Sequence, residues 1–218
     1  MEGKVFLSLP ELEQTLLELM KPDTEVVAKA TALLKKYFKN PECILNLVEH
    51  MTCHLDSNIR LLCSICLKKK LTLHWGAIDS EQKEKIKVLF LETYSKEENL
   101  KLKENIGGVI AKLAMILVPN KEFDLLFQFL NSKIQSAEIR DQREAVVLLS
   151  IIVESLGNLI EDYSDNFHTI LKESLQSKDR VLKRAAIKTM TNLSAANIKL
   201  HTLLQFQDLL PLIVQVLY

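Results

Sequence analysis

The sequence has few of the residues that interrupt regular structure. Its 218 residues include only 5 glycines and 5 prolines, and aromatic residues make up 6% of the chain. A β-sandwich or a barrel needs a turn about every ten residues, so breakers this scarce exclude those folds. No apolar run reaches the roughly 18 residues that a membrane span requires. The 48% of hydrophobic residues is ample for a core, and helix is the regular structure that the pattern supports.

The chain also lacks net charge, because 28 basic residues balance 28 acidic ones. Affinity for nucleic acids comes mainly from a basic surface that releases counterions, so we expect no nucleic-acid partner. The first ten residues lack the basic start and the long apolar stretch of a secretory signal. We therefore expect an intracellular protein, without a membrane span, whose four cysteines stay reduced.

Helical segments come in pairs that recur about every 35 to 42 residues, a period within or near that of HEAT-type arrays. A two-helix unit cannot bury both of its apolar stripes alone, so neighbouring pairs must stack. The pattern predicts an all-α fold, a HEAT-repeat α-solenoid in which antiparallel helix pairs form a superhelical stack. The predicted pairs are 10–21 with 22–39, 41–54 with 56–75, 79–94 with 97–118, 120–135 with 137–156, 159–176 with 179–194, and a sixth beginning near Ile198.

The second helices of several pairs begin with an acidic or polar residue that is soon followed by a basic one. Asp56 with Arg60 is the clearest example, and the run 179–184 is another. The acid suits the positive helix N-terminus, and we expect the basic residue to bond to an acid of the adjacent repeat. The apolar run 209–217 predicts a helix that awaits a partner, as in a fragment of a longer solenoid; the alternative is a terminal helix packed on the fifth pair.

The glycines of the third pair and the end of the second pair have structural interpretations. Gly107 and Gly108 lie inside a predicted helix, with neither the preceding strand nor the following Lys-Ser/Thr of a phosphate loop. They predict close helix packing or a small kink. We expect Trp75 to fill a gap at a repeat junction and Gly76 to end its helix in a left-handed cap.

Metal binding and catalysis find little support. A zinc site would need His50, Cys53 and His54 together with Cys63 and Cys66, but the last two fall on an apolar stripe, where cysteine behaves as a small hydrophobe. No catalytic triad order or His-Glu-x-x-His motif is present, and His168 and His201 have no evident acidic partner. We expect no metal, no cofactor and no enzymatic activity.

The most specific motif in the first half of the chain is a basic cluster at 67–71 that leads to His74-Trp75, a polar cap and a charged helix. With this motif and the shorter segments given below, the stretch from about residue 12 to residue 114 resembles the N-terminal domain of the importin-β family. The resemblance predicts that residues 1–118 form the first three repeats of such a protein and that residues 119–218 form repeats four to six, the last truncated, in one continuous solenoid. The matching segments are 19–23, 28–30, 33–36, 40–41, 59–63, 67–71, 74–75, 79–83, 86–87 and 104–106.

The resemblance implies a function in nuclear transport, with import favoured. Members of the family bind the GTP form of the small GTPase Ran through the inner helices of their early repeats, FG-nucleoporins on the outer surface, and protein cargo further along. Most of the cargo site would lie outside this chain. The protein would carry cargo through the nuclear pore and occur in the cytoplasm, in the nucleus and at the nuclear pore and envelope. The residues that occupy positions suited to Ran binding are Lys29, Arg60, Lys68, Lys69, Asn105 and Lys112.

Other functions fit the same periodicity. One alternative is a HEAT-repeat scaffold or adaptor unrelated to nuclear transport, which would not bind Ran. Another is a HEAT-like DNA glycosylase, which needs a basic groove with a catalytic carboxylate; the neutral charge argues against it.

Overall fold

The computed structural model describes residues 5–156, 161, 163–195 and 199–217, and all regular structure within these ranges is helical. The all-α prediction is therefore confirmed. None of the helices in these ranges has the length and apolarity to cross a bilayer. The helices are α1 Leu9–Glu18, α2 Thr24–Tyr37, α3 Cys43–Cys53, α4 Ser57–His74, α5 Ser80–Lys96, α6 Leu100–Leu117, α7 Asp124–Ile134, α8 Ile139–Leu156, α9 Ser164–Gln176, α10 Arg180–Ala195, α11 Leu200–Leu204 and α12 Leu210–Leu217.

Aspartate side chains fix the starts of four helices. Asp23 Oδ1 accepts hydrogen bonds from the backbone N–H groups of Glu25 and Val26 at 2.9 and 3.1 Å. Such a carboxylate satisfies N–H groups that have no partner within the helix and complements the helix dipole. The same capping occurs at the first turns of α4, α5 and α10, from Asp56, Asp79 and Asp179. These local signals explain why the sequence pattern located the helices well.

The chain divides into two compact units, Met1–Val109 and Ile110–Tyr218. In the first unit, α1 packs against α2 and α4, and α3 packs against α4 and α5. Aliphatic and aromatic side chains fill the space between these helices, with Leu12, Leu47, Ile59 and Phe90 fully buried. Hydrogen bonds also join successive pairs: His74 Nε2 lies 2.9 Å from the carbonyl oxygen of Phe38, 36 residues earlier.

In the second unit, α8 is the central helix and contacts α7, α9 and α10. The terminal helix α12 contacts α9, so part of the apolar run 209–217 packs on the fifth pair. Leu210 and Val214 of this run remain about half exposed, at 54% and 53%. The predicted start of the sixth pair, near Ile198, lies outside the described residues.

The end of α4 differs from the predicted cap. After His74 the chain tightens into a 3-10 turn, Trp75–Ala77, and Gly76 does not take up the positive φ of a left-handed cap. The prediction for Gly76 was wrong because the turn continues the right-handed winding and keeps Trp75 buried, at 4% exposure. The Lys83 ammonium lies 5.9 Å from the centre of the Trp75 ring, where a cation–π attraction operates.

Candidate partner-binding site

Lys68 is held in place by the neighbouring helix. Its Nζ donates a hydrogen bond of 2.6 Å to Asn105 Oδ1 on α6, and Asn105 Nδ2 donates in turn to the Lys101 carbonyl at 2.9 Å. A Cβ added to Gly108 would lie 2.9 Å from Lys68 Cδ, closer than two carbon atoms normally approach. Gly108 therefore leaves space for the stem of Lys68 across α6, which accounts for a glycine inside a helix.

Arg60 makes a different kind of contact. Its guanidinium forms an ion pair with Glu97, whose side chain is 6% exposed, and its Nε donates to the Met51 carbonyl oxygen at 3.1 Å. Glu97 comes 37 residues after Arg60, in the next helix pair. The prediction that Arg60 bonds to an acid of the adjacent repeat is confirmed. Its charge is thereby compensated inside the protein, and a role in Ran binding stays a prediction.

The remaining candidates differ in exposure. Lys29 on α2 and Lys69 on α4 are exposed, whereas Lys112 is half-buried in the second unit with its Nζ 3.6 Å from Met115 Sδ. The structure thus brings Lys68 and Asn105 into contact and leaves Lys29 and Lys69 as exposed cations on second helices of their pairs.

The second unit repeats the arrangement of Arg60. Arg143 on α8 forms a two-bond ion pair with Asp179, 36 residues later, at the first turn of α10. Asp179 also caps α10 through bonds of 3.0 Å from the N–H groups of Val181 and Leu182. These contacts, with that of Arg143 the largest cause, lower the pKa of Asp179 to about 2. In both pairs, an arginine early in one second helix bonds to an acid one repeat later in the sequence.

The pKa of Asp179 gives a pH-dependent contribution to stability. Because its folded pKa is about 2 and its ordinary value is 3.8, the contribution is fully present above about pH 4 and is lost as the pH falls toward 2. The free energy of unfolding of wild type and of Asp179→Asn, measured in urea from pH 6 to pH 2.5, should therefore converge below pH 4. Asparagine can still cap the helix, so the substitution measures the effect of the carboxylate charge alone. A difference that stayed constant with pH would contradict this assignment.

His168 has an acidic partner that the sequence analysis did not find. Its Nε2 lies 2.6 Å from Asp208 Oδ1, 40 residues later, and Lys172 Nζ lies 3.8 Å from the other carboxylate oxygen. The statement that His168 lacks an evident partner was wrong because the two residues are one repeat apart in sequence. The His168 contact lowers the pKa of Asp208 below its ordinary range.

The residues considered for zinc have other contacts. His50 Nε2 lies 3.0 Å from the Leu9 carbonyl oxygen, and His54 Nδ1 accepts a hydrogen bond of 2.9 Å from the Asp56 N–H. Cys63 is fully buried in the apolar core. In the part of the chain that the structure describes, no three histidine, cysteine or acidic side chains gather into a group that could hold a metal ion.

Thiol reactivity should separate the four cysteines. Burial raises the pKa of Cys43 to about 12 and that of Cys66 to about 11, and raises that of Cys63 further, whereas Cys53 is exposed. Because the thiolate is the reactive form, Ellman's reagent at pH 8 should modify Cys53 alone in the native protein and all four thiols after denaturation. Cys53→Ser should abolish the fast phase. Two or more fast thiols in native wild type would contradict the burial of the others.

Two family profiles together match nearly the whole chain. The profile described as Importin-beta N-terminal domain matches residues 30–96, and the one described as IPO5-like, TPR repeats matches residues 98–218. The second match alone covers more than half of the chain. This protein belongs to the importin-β family. The N-terminal domain match covers α3 to α5 and part of α2, within the stretch 12–114 that carried the resemblance; the division at residue 118 stays a prediction.

Curated importins are similar over most of this chain. Importin-4 of Mus musculus is 26% identical over 167 residues, and the probable importin subunit beta-4 of Schizosaccharomyces pombe is 29% identical over 161 residues. The matches cover 75% and 72% of this chain but only 15% of each relative. This chain therefore spans a small part of the length of these relatives and corresponds to an N-terminal region of the family.

Solved importin-β family structures share the fold. The karyopherin chain of the Kap95:Nup1 complex superposes with a TM-score of 0.78 at 16% identity, over 96% of this chain and 26% of that one. Kap121p bound to RanGTP gives a TM-score of 0.74 at 17% identity, over 94% and 19%. Importin beta gives 0.76 at 20% identity, over 95% and 26%. These values confirm the helical-repeat solenoid class of this importin chain.

Proposed function

We propose that this chain is the N-terminal part of a nuclear import receptor that binds Ran in its GTP form through the second helices of its early pairs. FG-nucleoporins and protein cargo would be further partners, with most of the cargo site outside these residues, and the receptor would move between cytoplasm and nucleus. The observation that carries the proposal is the match of the importin-β N-terminal domain to residues 30–96. Kap121p, which has the same fold, has been solved with RanGTP.

The contacts of the candidate residues indicate which of them are available to bind a partner directly. Lys29 and Lys69 are exposed and can be desolvated by a partner without first breaking a described ion pair. Lys68 is held by its hydrogen bond to Asn105, and its stem packs against Gly108. The side chain therefore has little conformational entropy left to lose when a partner binds. Arg60 is the least suitable of the six for direct contact, because releasing it would leave the buried Glu97 carboxylate without its cation.

The direct test is calorimetric titration of the chain with Ran loaded with GTP or GDP. We expect binding to the GTP form and much weaker binding to the GDP form. The variant Lys29→Glu/Lys69→Glu should weaken GTP-form binding at least tenfold, or about 1.4 kcal/mol, because charge reversal places like charges across the interface.

A matched control is available on a first helix. Lys85→Glu/Lys96→Glu makes the same change in net charge on α5, where both lysines are exposed, at 65% and 77%, and form only surface pairs. This control should bind Ran like wild type. Equal affinity for the two nucleotide forms, or equal losses in the two double variants, would overturn the proposal and favour a HEAT scaffold outside nuclear transport.

A further inference from the structure

A basic cleft lies in the second unit, between the first turns of α10 and the end of α12. Its volume is about 580 Å³, within the range of pockets that hold small ligands. Two aliphatic side chains, Ile187 and Val216, form part of its lining, and the described lining contains no acidic residue. The cationic side chains that line it are Lys178, Arg180, Lys183 and Arg184.

These four cations have no acidic partner among the described residues. Asp179 lies between two of them in sequence, but its carboxylate is already bonded to Arg143 and to two backbone N–H groups of α10. The whole chain has no net charge, so four uncompensated cations around one concave space are a strong local excess. Mutual repulsion makes this arrangement unfavourable in the free protein, and an anion in the cleft would relieve it.

The cleft lining distinguishes between classes of anionic partner. Proteins that hold single-stranded nucleic acids stack the bases on aromatic rings, and the described lining of the cleft has no aromatic ring. Ile187 and Val216 instead offer apolar surface beside the charges, which suits a segment in which carboxylates alternate with aliphatic side chains. We propose that this cleft binds an acidic peptide segment of a protein partner, at a site separate from the one proposed for Ran.

The probe for this proposal is a fluorescein-labelled octapeptide of alternating glutamate and leucine, titrated by anisotropy into the whole chain. We expect micromolar affinity in about 50 mM salt, a clear loss at about 200 mM, and no binding by the same peptide with glutamine for glutamate. Arg184→Glu should weaken binding at least tenfold. Lys188→Glu is the matched control, since Lys188 is also an exposed cation, one turn later on α10, and does not line the cleft.

Three results would overturn the proposal. The first is an affinity that Arg184→Glu and Lys188→Glu reduce equally, which would reflect net charge alone. The second is tighter binding by a single-stranded oligonucleotide of equal charge. The third is binding only by a phosphoserine version of the peptide, which would show that the cleft recognises phosphate groups and not carboxylates. Circular dichroism of both variants checks that they retain the wild-type helix content, so a loss of binding cannot be assigned to unfolding.

Discussion

Arg60→Ala is expected to lower the free energy of unfolding by about 3 kcal/mol, because it leaves a buried charge without its partner. The Glu97 side chain is only 6% exposed, and the Met51 carbonyl oxygen loses its hydrogen bond from the same arginine. Removing one member of a buried ion pair is costly because the other cannot regain its hydration. Urea denaturation followed by circular dichroism at neutral pH measures the change directly.

Two controls make this expectation specific to burial. Arg143→Ala removes the equivalent arginine of the second unit, where Arg143 is 43% exposed and Asp179 is 14% exposed. Water can partly replace that contact, so we expect a clearly smaller loss of stability than for Arg60→Ala. Arg60→Met/Glu97→Gln removes both buried charges and should recover much of the stability lost in Arg60→Ala. Equal losses in Arg60→Ala and Arg143→Ala would contradict the burial argument.

Leu149→Ala should also cost about 3 kcal/mol, through a cavity in the centre of the second unit. Leu149 is fully buried on α8, and this helix is contacted by α7, α9 and α10. With helices on several sides, the surrounding side chains cannot easily collapse into the space that the deletion leaves. Glu154→Ala changes an exposed residue of the same helix and should alter stability by no more than about 0.5 kcal/mol. A Leu149→Ala loss below 1 kcal/mol would show that the core repacks.

The helix pairs could be predicted because their signals are local. Apolar spacing marks the stripe of each helix, and an aspartate such as Asp56 marks its start. The contacts between repeats could not be predicted in the same way. Pairing Arg60 with Glu97, or His168 with Asp208, requires the alignment of helices about 40 residues apart, which depends on how the pairs stack.

For the candidate site too, the sequence predicted residues but not their contacts. The resemblance supplied Lys29, Lys68 and Lys69 as a set, yet only tertiary structure shows that Lys68 is anchored while the other two are exposed. The basic start of α10 was interpreted as an ordinary repeat motif. The motif itself contains one carboxylate, that of Asp179, and Arg143 binds it. Whether the charges of the neighbouring cations are neutralised therefore depends on residues far away in the sequence.

The fit between Lys68 and Gly108 has an evolutionary consequence. A β-carbon at position 108 would lie 2.9 Å from Lys68 Cδ, so a larger residue at 108 requires the Lys68 side chain to shift or to be replaced by a shorter one. Among orthologues, sequences that carry alanine or a larger residue at 108 should have a shorter or redirected side chain at 68, and sequences with a long side chain at 68 should keep glycine. Positions 68 and 108 are therefore expected to covary, although 40 residues of chain separate them.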